Sequence, residues 1–354
     1  MTRNNLEFYW FLPLEKDVKY IGTLEPTGPL PTVEYLSKIV TASESAGFKG
    51  LLVPTSYNLD LENWLTATSV LSRTKEAKMI IAVRPNQYHP AQAAKMVQTL
   101  YRLYPDRLAL NILAGSSYED GWIGIFDTPD QKMERLEEWL KIFKGVLYEQ
   151  SPFSFNGNIY NVVGNQLDSI TNNSVDLFFS GGSKRAKEIA VEHAKTYLLF
   201  GTTIEQVKKE LQEVRDKFNS YTNLSFGMRL QIIVRENEDE AWRNANDLIS
   251  KVDPRVKEYL INHPHFYSLG ENAKERIQNG DFLLGPNLWG GIGTARLGNS
   301  TALVGNPQQI VDRLLEYHAL GINKFILSGY PKLDEVVNFG KLISPILREC
   351  EIML

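Results

Sequence analysis

The sequence is poor in the features that mark several classes of protein. It has a single cysteine, Cys350, so an intrachain disulfide and a cysteine-rich zinc site are both excluded. No apolar run approaches the roughly 20 residues that a membrane-spanning helix needs. The N-terminal MTRNNLEFYWFLP lacks the charged and apolar regions of a secretion signal. We therefore expect a soluble, unexported, cytoplasmic protein.

Positive charge is also scarce relative to negative charge. The chain has 38 Lys and Arg residues against 42 Asp and Glu residues, which gives a formal net charge of -4. Nucleic-acid surfaces need a clustered excess of Lys and Arg. This balance argues against a nucleic-acid partner, and we expect a small-molecule partner instead.

Several catalytic motifs are missing as well. The sequence contains no nucleophile elbow, no P-loop and no G-x-G-x-x-G dinucleotide fingerprint. His193 and His318 fall near the ends of predicted helices, where imidazoles usually pack or cap. His263 and His265 have a spacing that a metal could use, but no acidic or cysteine cluster accompanies them. We predict no catalytic metal, and a bound cofactor is the simplest source of the chemistry.

The chain does contain a regular alternation of apolar strands and amphipathic helices. The predicted strands are Leu6–Leu12, Gly50–Pro54, Lys78–Pro85, Arg107–Gly115, Val175–Gly182, Thr196–Gly201, Ser225–Arg235 and Lys324–Pro331. The predicted helices are Val33–Ala46, Leu61–Ser72, Ala91–Tyr104, Lys132–Leu147, Arg185–Ala194, Ile204–Phe218, Glu238–Lys251 and Pro307–Leu320. Eight such units predict an α/β protein, a (β/α)8 TIM barrel with insertions. An open, doubly wound sheet is the competing topology.

Two stretches interrupt the alternation, at about residues 151–173 and 253–300. The first is rich in Asn, Gly and Ser, and the second is glycine-rich toward its end. Loops of this length inside a compact domain are usually lids or binding loops. We predict one domain over residues 1–354 with these two insertions, the second of which lies over the active site.

Active sites of (β/α)8 enzymes lie at the carboxyl ends of the strands, so the last residues of each strand are the candidates. They are Pro54 and Thr55, Arg84 and Pro85, Asn111 to Ser116, Ser180 to Ser183, Phe200 and Gly201, Arg229 and Gln231, and Ser328 to Pro331. Most of them are polar or glycine.

The segment FFSGGSKRAKEIA has the features of an anion-binding turn. Gly181 and Gly182 allow close backbone approach, and Ser183 begins a helix whose free N–H groups and dipole favour a phosphate. The alternative interpretation is an ordinary strand-to-helix turn in which Ser183 caps the helix.

Arginines provide further candidate anion ligands. Arg296 lies in the glycine-rich PNLWGGIGTARLGNSTALVG, where a guanidinium could close on an anionic substrate, although a solvated surface arginine fits the pattern too. Arg84 and Arg229 lie at strand ends, where an arginine needs an anionic partner. That partner is a cofactor, a substrate or, in a structural ion pair, a neighbouring carboxylate.

Several motifs taken together resemble the FMNH2-dependent alkanesulfonate monooxygenases of the bacterial luciferase-like superfamily. The motifs are FYWFLP, GLLVPT, AVRP, LNILAGS, FSGGS, FGMRLQIIVRE followed by DEAW, PNLWGGIGTARLGNSTALVG and LSGYP, in family order over nearly the whole chain. The resemblance implies reduced FMN from a separate NAD(P)H-dependent flavin reductase, and O2 that reacts through a flavin peroxide. It also implies a homodimer or homotetramer.

The resemblance also implies roles for individual residues. Asn111 matches the asparagine beside the flavin, Gly182 and Ser183 match the phosphate loop that Gly181 begins, and Arg84 matches an arginine at the mouth. Arg229, Arg296 and Tyr330 match positions around the sulfonate and the peroxyflavin, and we take them, together with Gln231, as the catalytic candidates.

The sequence departs from the family pattern on the substrate side. Gln231 replaces a histidine, so a titratable group becomes a neutral amide. Leu59 stands near the expected cysteine, Phe200 replaces a tryptophan, and Leu14-Glu15 replaces a histidine. We therefore expect a monooxygenase with a different substrate, either a free small molecule or a carrier-bound intermediate. A deazaflavin-dependent oxidoreductase and a non-catalytic flavin-binding protein are the competing hypotheses.

Overall fold

The protein is described from a computed structural model. The structure describes residues 6–113, 117–149, 151–168, 170, 175–217, 224–262, 271–298 and 300–352. The chain divides into two compact units, the first formed by Met1–Leu51 with Leu198–Leu354 and the second by Leu52–Tyr197. The single-domain organisation expected over residues 1–354 stays a prediction.

Short strands alternate with helices along the described chain. The strands are β1 (Glu7–Phe11), β2 (Gly50–Val53), β3 (Lys78–Val83), β4 (Leu108–Leu113), β5 (Phe153–Asn156), β6 (Asn161–Asn165), β7 (Asp176–Ser180), β8 (Thr196–Phe200), β9 (Ser225–Val234), β10 (Leu283–Gly285), β11 (Leu288–Trp289), β12 (Ala302–Gly305) and β13 (Ile322–Ser328). Most of them are buried along their length, which explains their apolar sequences.

The helices of the described residues include the eight predicted ones, with bounds close to those predicted, and five that were not predicted. They are α1 (Val33–Ser45), α2 (Asn63–Leu71), α3 (Pro90–Leu103), α4 (Ser117–Asp120), α5 (Pro129–Tyr148), α6 (Lys184–His193), α7 (Ile204–Lys217), α8 (Glu238–Leu248), α9 (Pro254–Ile261), α10 (Glu271–Gln278), α11 (Pro307–Ala319), α12 (Lys332–Leu342) and α13 (Ser344–Glu349). Short 3-10 helices cover Gly121–Ile123 and Gly291–Thr294.

In the first unit, parallel strands lie in the order β12, β9, β13, β1. The register places Arg229 of β9 beside Ile326 of β13, which in turn lies beside Tyr9 of β1. Rings of Phe8, Phe48, Phe325 and Phe339 pack together beneath these strands. Because the strands are parallel, their carboxyl ends share one edge and bring polar residues there together.

In the second unit, β3, β4 and β7 are parallel neighbours in that order, and β7 also pairs in parallel with Thr196 and Tyr197 at the start of β8. Asn111 of β4 lies between Ala82 of β3 and Phe178 of β7. Helix α5 covers the unit with Trp139 and Phe143, whose rings stack with centroids 4.8 Å apart. The eight parallel strands β1, β2, β3, β4, β7, β8, β9 and β13, each followed by a helix, confirm the α/β fold class and the (β/α)8 TIM barrel with insertions.

Local sequence signals explain where most helices begin. Thr128 and Asn306 each form a capping box, and a proline occupies the first turn that follows. The Thr128 box starts α5 at Pro129, earlier than the predicted Lys132, because the capped first turn carries no apolar residue to reveal it.

The predicted insertions contain secondary structure of their own. The described residues near 151–173 form the antiparallel hairpin β5–β6, and those near 253–300 include α9, α10, β10 and β11. Strand β12 and the final helices α12 and α13 were not predicted. Strand β12 is only four residues long and lies within the glycine-rich motif, so no periodicity marks it.

Candidate functional site

In the first unit, Arg229 projects from β9 in a half-buried position. Its guanidinium carbon lies 4.8 Å from the ring centroid of Phe11. The backbone is fixed because the amide of Gly201 donates to the carbonyl of Arg229 at 2.8 Å. Burial, followed by repulsion from Arg296, lowers the pKa of Arg229 to about 10, and Tyr330 opposes this shift. The charged form is therefore disfavoured at this position.

Arg296 follows the 3-10 helix Gly291–Thr294 and is also half-buried. Its Nη1 donates a hydrogen bond to the hydroxyl oxygen of Tyr330, and its Nε donates to the carbonyl of Leu297 at 3.1 Å. Burial lowers the pKa of Arg296, but Tyr330 and the exposed Glu15 outweigh it and raise the pKa above the usual arginine value. Arg296 is therefore the fixed cation of the group.

Neither arginine has a described carboxylate at ion-pair distance, and Glu15 acts on Arg296 only from farther away. Within the described part of the chain, neither Arg229 nor Arg296 forms an ion pair. The charge of Arg296 lowers the pKa of Arg229, and Tyr330 raises the pKa of both arginines. Half-buried guanidinium groups without a carboxylate are costly unless an anion joins them. We call Arg229, Arg296 and Tyr330 the arginine pair site.

Gln231, two residues beyond Arg229 on β9, is 1% exposed. Its side-chain oxygen accepts a hydrogen bond from the hydroxyl of Ser328 at 2.6 Å, which fixes the orientation of the amide. Its Nε2 has no hydrogen-bond partner among the described residues. A buried donor without an acceptor is costly, and it is a place where a ligand can bind.

In the second unit, Arg84 follows β3 and is 8% exposed. Its Nη1 forms an ion pair with Glu119, which also accepts the hydroxyl of Ser56 and the amide of Tyr57, the latter at 3.3 Å. The structural ion pair that the sequence left open for Arg84 is therefore present. Its Nε has no partner in the described structure, so one donor of the guanidinium remains for a ligand.

Asn111 lies near the carboxyl end of β4 and is 4% exposed. Its Oδ1 accepts a hydrogen bond from the hydroxyl of Ser180 on β7 at 3.1 Å. This bond joins the ends of two neighbouring strands and orients the amide. Of the predicted segment Asn111 to Ser116, residues 114–116 lie outside the described residues.

The segment Gly181 to Ser183 connects β7 to α6. The hydroxyl of Ser183 accepts the amide of Ala186 at 3.1 Å, so Ser183 is the N-cap of α6, as the alternative interpretation expected. The carbonyl of Gly181 accepts the hydroxyl of Tyr197 at 2.7 Å. A Cβ atom at Gly182 would meet nothing within 4 Å, so the turn has open space beside it. The cap and an anion site are compatible, because capping satisfies only one of the free N–H groups.

The described histidines have structural surroundings. Burial and the nearby Lys144 and Lys141 lower the pKa of His193 to about 4, so this imidazole is neutral at neutral pH. His318 in the last turn of α11 makes a ring-nitrogen contact of 3.1 Å with the carbonyl of Ile322. His89 is the N-cap residue of α3.

Neither a metal cluster nor a membrane-spanning helix is found in the described ranges. No group of three or more His, Cys, Asp and Glu side chains is placed there to hold a metal ion. The predicted candidates His263 and His265 lie outside these ranges. No described helix is long and apolar enough to cross a membrane.

The sequence profile described as luciferase-like monooxygenase matches residues 6–324 of this chain. The chain belongs to the luciferase-like monooxygenase family. The match extends over both compact units and over each candidate site residue except Tyr330, which lies beyond residue 324.

Solved structures resemble this luciferase-like monooxygenase over nearly its full length. A riboflavin lyase crystallised with modified FMN and riboflavin is 15% identical and has a TM-score of 0.80, with 99% of this chain and 93% of that chain covered. EDTA monooxygenase from Chelativorans sp. BNC1 is 14% identical with a TM-score of 0.80, covering 99% and 95%. An F420-dependent secondary alcohol dehydrogenase is 17% identical with a TM-score of 0.66, covering 96% and 98%. At these identities the likeness concerns the fold.

Some residues around the arginine pair site of this luciferase-like monooxygenase were missed by sequence reasoning. Lys332 places its ammonium 3.7 Å from the ring centroid of Tyr330, and the buried Asp17 accepts the backbone amide of Lys332 at 2.7 Å. Asp17 and Lys332 are 315 positions apart, so no local pattern reveals the contact. The only available signal was the charged Lys332 directly after LSGYP, at the start of an amphipathic helix.

Proposed function

We propose that this chain is the oxygenase component of a two-component monooxygenase that uses FMNH2 and O2 to oxidise a small organic substrate with an anionic group. A separate NAD(P)H-dependent flavin reductase supplies the FMNH2. The observation that carries this proposal is the arginine pair site, where Arg229 and Arg296 repel each other, Arg296 binds Tyr330, and neither arginine has an ion pair among the described residues.

The charges of the arginine pair site favour an anionic ligand. Repulsion between Arg229 and Arg296 contributes to the low pKa of Arg229. An anion bound by both guanidinium groups would remove this repulsion and satisfy their outward donors. A guanidinium also presents paired N–H groups that match planar carboxylate and tetrahedral sulfonate or phosphate oxygens. The substrate class we propose is therefore an organic anion.

The described residues of the second unit fit a flavin mononucleotide. Reduced FMN, when bound, supplies the two electrons with which O2 is activated. Arg84 has a buried Nε without an acceptor, Asn111 presents an oriented amide, and Gly182 has open space beside it. We propose that Arg84 and Asn111 hold the ring system and that Gly181 to Ser183 hold the phosphate at the start of α6.

Each residue of the arginine pair site has a distinct proposed role. Arg229 and Arg296 bind and orient the anionic group, and Arg296 is the better fixed of the two. The oxygen of Tyr330 accepts from Arg296, which leaves its own hydrogen free to be donated to the substrate or to an oxygen atom. Gln231 cannot titrate, so it orients a ligand through its free Nε2 hydrogens without transferring a proton.

Stopped-flow oxidation of protein-bound reduced FMN tests the proposal. The protein is loaded anaerobically with photoreduced FMN and mixed with oxygenated buffer, and flavin absorbance is followed against free FMNH2. We expect oxidation kinetics distinct from those of the free flavin, altered further by organic anions such as alkanesulfonates. Oxidation identical to that of free FMNH2 at saturating protein would contradict it.

The competing candidate is a deazaflavin-dependent oxidoreductase. An F420-dependent alcohol dehydrogenase has the same fold as this chain. Anaerobic equilibrium titration with reduced FMN and with F420 distinguishes the two hypotheses. We expect tighter binding of reduced FMN, and preferential binding of F420 would support the competing candidate. Binding of FMN without any oxygen-dependent turnover would support a non-catalytic flavin-binding protein.

Substitution of Gly182 is expected to separate cofactor binding from stability. Gly182→Ala adds a methyl group where the protein leaves open space, so the free energy of unfolding should stay within about 0.5 kcal/mol. The methyl group would obstruct the phosphate, so we expect FMN affinity to fall roughly tenfold, the equivalent of about 1.4 kcal/mol. Isothermal titration and chemical denaturation measure the two quantities.

Gly201→Ala is the matched control, because Gly201 also follows a parallel strand. A Cβ atom there would overlap the side chain of Leu230 and lie 3.1 Å from the carbonyl oxygen of Arg229. We expect a loss of about 1 to 3 kcal/mol in stability from this overpacking. If both variants lose stability equally, Gly182 is a structural glycine and its proposed phosphate contact is wrong.

A further inference from the structure

The ammonium group of Lys332 is buried in an unusual setting. Lys332 is the first residue of α12 and is 2% exposed. Its Nζ donates no hydrogen bond to any described residue, and Oδ1 of Asp17 lies 4.0 Å away. Its Nζ lies 3.7 Å from the ring centroid of Tyr330. The ammonium therefore has two described partners that stabilise its charge, the aromatic face of Tyr330 and the more distant carboxylate of Asp17.

The carboxylate of Asp17 forms hydrogen bonds with the backbone at Lys332, but not with the Lys332 ammonium, which is 4.0 Å away. The two oxygens of Asp17 accept the amides of Lys332 at 2.7 Å and Leu333 at 3.2 Å, and the hydroxyl of Tyr35 at 2.8 Å. The N-cap residue Pro331 makes no side-chain cap, so Asp17 caps α12 from a distant part of the chain. The start of α12 is therefore held rigidly beside Tyr330.

Lys332 and Arg296 contact different parts of Tyr330. A desolvated ammonium over an aromatic face is among the stronger cation–π contacts, because water does not compete for the charge. Arg296 binds the hydroxyl of the same residue, while its guanidinium carbon is 5.8 Å from the ring centroid. Lys332 thus holds the ring face and Arg296 holds the phenolic oxygen.

We propose that Lys332 is a positioning residue that holds the ring of Tyr330 so that its hydroxyl stays on Arg296. The inference rests on the proposed function in that it assigns Tyr330 to the substrate site. The ammonium of Lys332 lies against the ring of Tyr330, so the role that we propose for it is exerted through Tyr330. The ring contact involves only residues of this chain, so it can be tested independently of turnover.

Fluorine NMR of the cofactor-free protein tests the contact directly. 3-Fluorotyrosine is incorporated at position 330, and its resonance is compared among wild type, Lys332→Met and Lys332→Arg. We expect a shifted or split resonance in Lys332→Met and a single resonance near the wild-type position in Lys332→Arg. A resonance in Lys332→Met that coincides with wild type would overturn the proposal. Lys332→Gln replaces the methionine variant if that variant does not fold.

Lys324→Met is the matched control for loss of a buried lysine charge. Lys324 is 8% exposed and lies near the opposite end of β13 from Ser328, where it pairs with Glu7 at 2.8 Å. We expect the fluorine resonance at position 330 to be unchanged in this variant. A shift equal to that of Lys332→Met would show a general loss of packing and would overturn the positioning role.

Turnover provides the second readout. With reduced FMN, O2 and an anionic substrate, Lys332→Met should lower kcat about 3- to 30-fold, the range expected from a cation–π contact, and leave KM unchanged. In a Tyr330→Leu background the same substitution should have no further effect. Additive losses in the two backgrounds would overturn the proposal. Absence of all FMN-dependent turnover in wild type would refute the proposed function, while the fluorine spectra would still decide the role of Lys332.

Discussion

Arg229→Met is expected to lower kcat/KM by roughly 100- to 1000-fold, the loss typical when one preorganised donor to a developing or bound anion is removed. The variant loses one of the two guanidinium groups of the arginine pair site but keeps a side chain of similar length beside Phe11. Steady-state oxygen uptake with excess flavin reductase, FMN and an anionic substrate measures the effect.

The same substitution is expected to stabilise the fold. Burial and Arg296 lower the pKa of Arg229 to about 10, so keeping it charged in the folded protein at neutral pH costs free energy. Removing an uncompensated, desolvated charge should raise the free energy of unfolding by about 1 to 3 kcal/mol. A loss of activity with a gain of stability is expected of a functional residue rather than a structural one.

The pH dependence follows from the direction of this shift. A cation whose pKa is lowered on folding destabilises the protein at every pH below its folded pKa, and that cost is relieved as pH rises through the folded value. The stability advantage of Arg229→Met over wild type should therefore shrink between pH 8 and pH values above about 10. Denaturation curves of wild type and Arg229→Met at the same pH measure the difference in unfolding free energy. Groups that titrate equally in both proteins cancel in this difference.

Arg255→Met is the control for the loss of an arginine. Arg255 is exposed and pairs with Asp253 at the start of its own helix, α9. We expect both kcat/KM and stability to be essentially unchanged, because exposed ion pairs contribute little. If kcat/KM of Arg229→Met stayed within about threefold of that of Arg255→Met, the proposed role of Arg229 in binding the substrate anion would be refuted.

Of the substitutions considered, Glu335→Leu is expected to cause the largest loss of stability, about 3 to 5 kcal/mol. The reason is that it leaves the charge of Arg235 without its carboxylate partner. Glu335 is 1% exposed and binds Arg235 through two bonds, Nη2 to Oε1 at 2.7 Å and Nη1 to Oε2 at 3.1 Å. The variant would leave the half-buried Arg235 with the side chain of Asn244 as its remaining side-chain acceptor. Urea denaturation at neutral pH measures the loss.

The double variant Arg235→Met with Glu335→Leu controls for the packing change. Replacing both members of a buried pair by apolar side chains is often neutral or stabilising. We therefore expect the double variant to recover most of the stability lost in Glu335→Leu. Equal loss in both proteins would mean that packing around α12, rather than the unpaired charge, explains the result.

The order of the strands and most helix bounds could be predicted because buried strands and amphipathic helices have distinct sequence periods. The strand ending at Ser328 and the helix beginning at Pro307 were recognisable in this way. The hairpin β5–β6, the short strand β12 and helices α12 and α13 were not predicted. Their lengths or mixed polarity give too weak a periodic signal, and their positions depend on contacts with distant parts of the chain.

The candidate residues at strand ends could be selected for a related reason. A barrel places the carboxyl ends of its strands together, so Arg84, Asn111 and Arg229 could be identified before any coordinates existed. The sequence could not decide which arginine is neutralised. Only the structure shows that Arg84 has Glu119 as a partner, whereas Arg229 and Arg296 have no ion-pair partner in the described ranges.

By itself the sequence determined the fold class, the family and the edge on which polar residues collect, because periodicity and strand-end position are properties of the chain read locally. The tertiary structure alone decided charge compensation, since ion pairs and desolvation depend on distances between residues far apart in sequence. Asp17 capping Lys332, 315 positions away, is such a case. The buried ammonium of Lys332 beside Tyr330 is another, because neither its depth nor its aromatic partner follows from the residues that flank it.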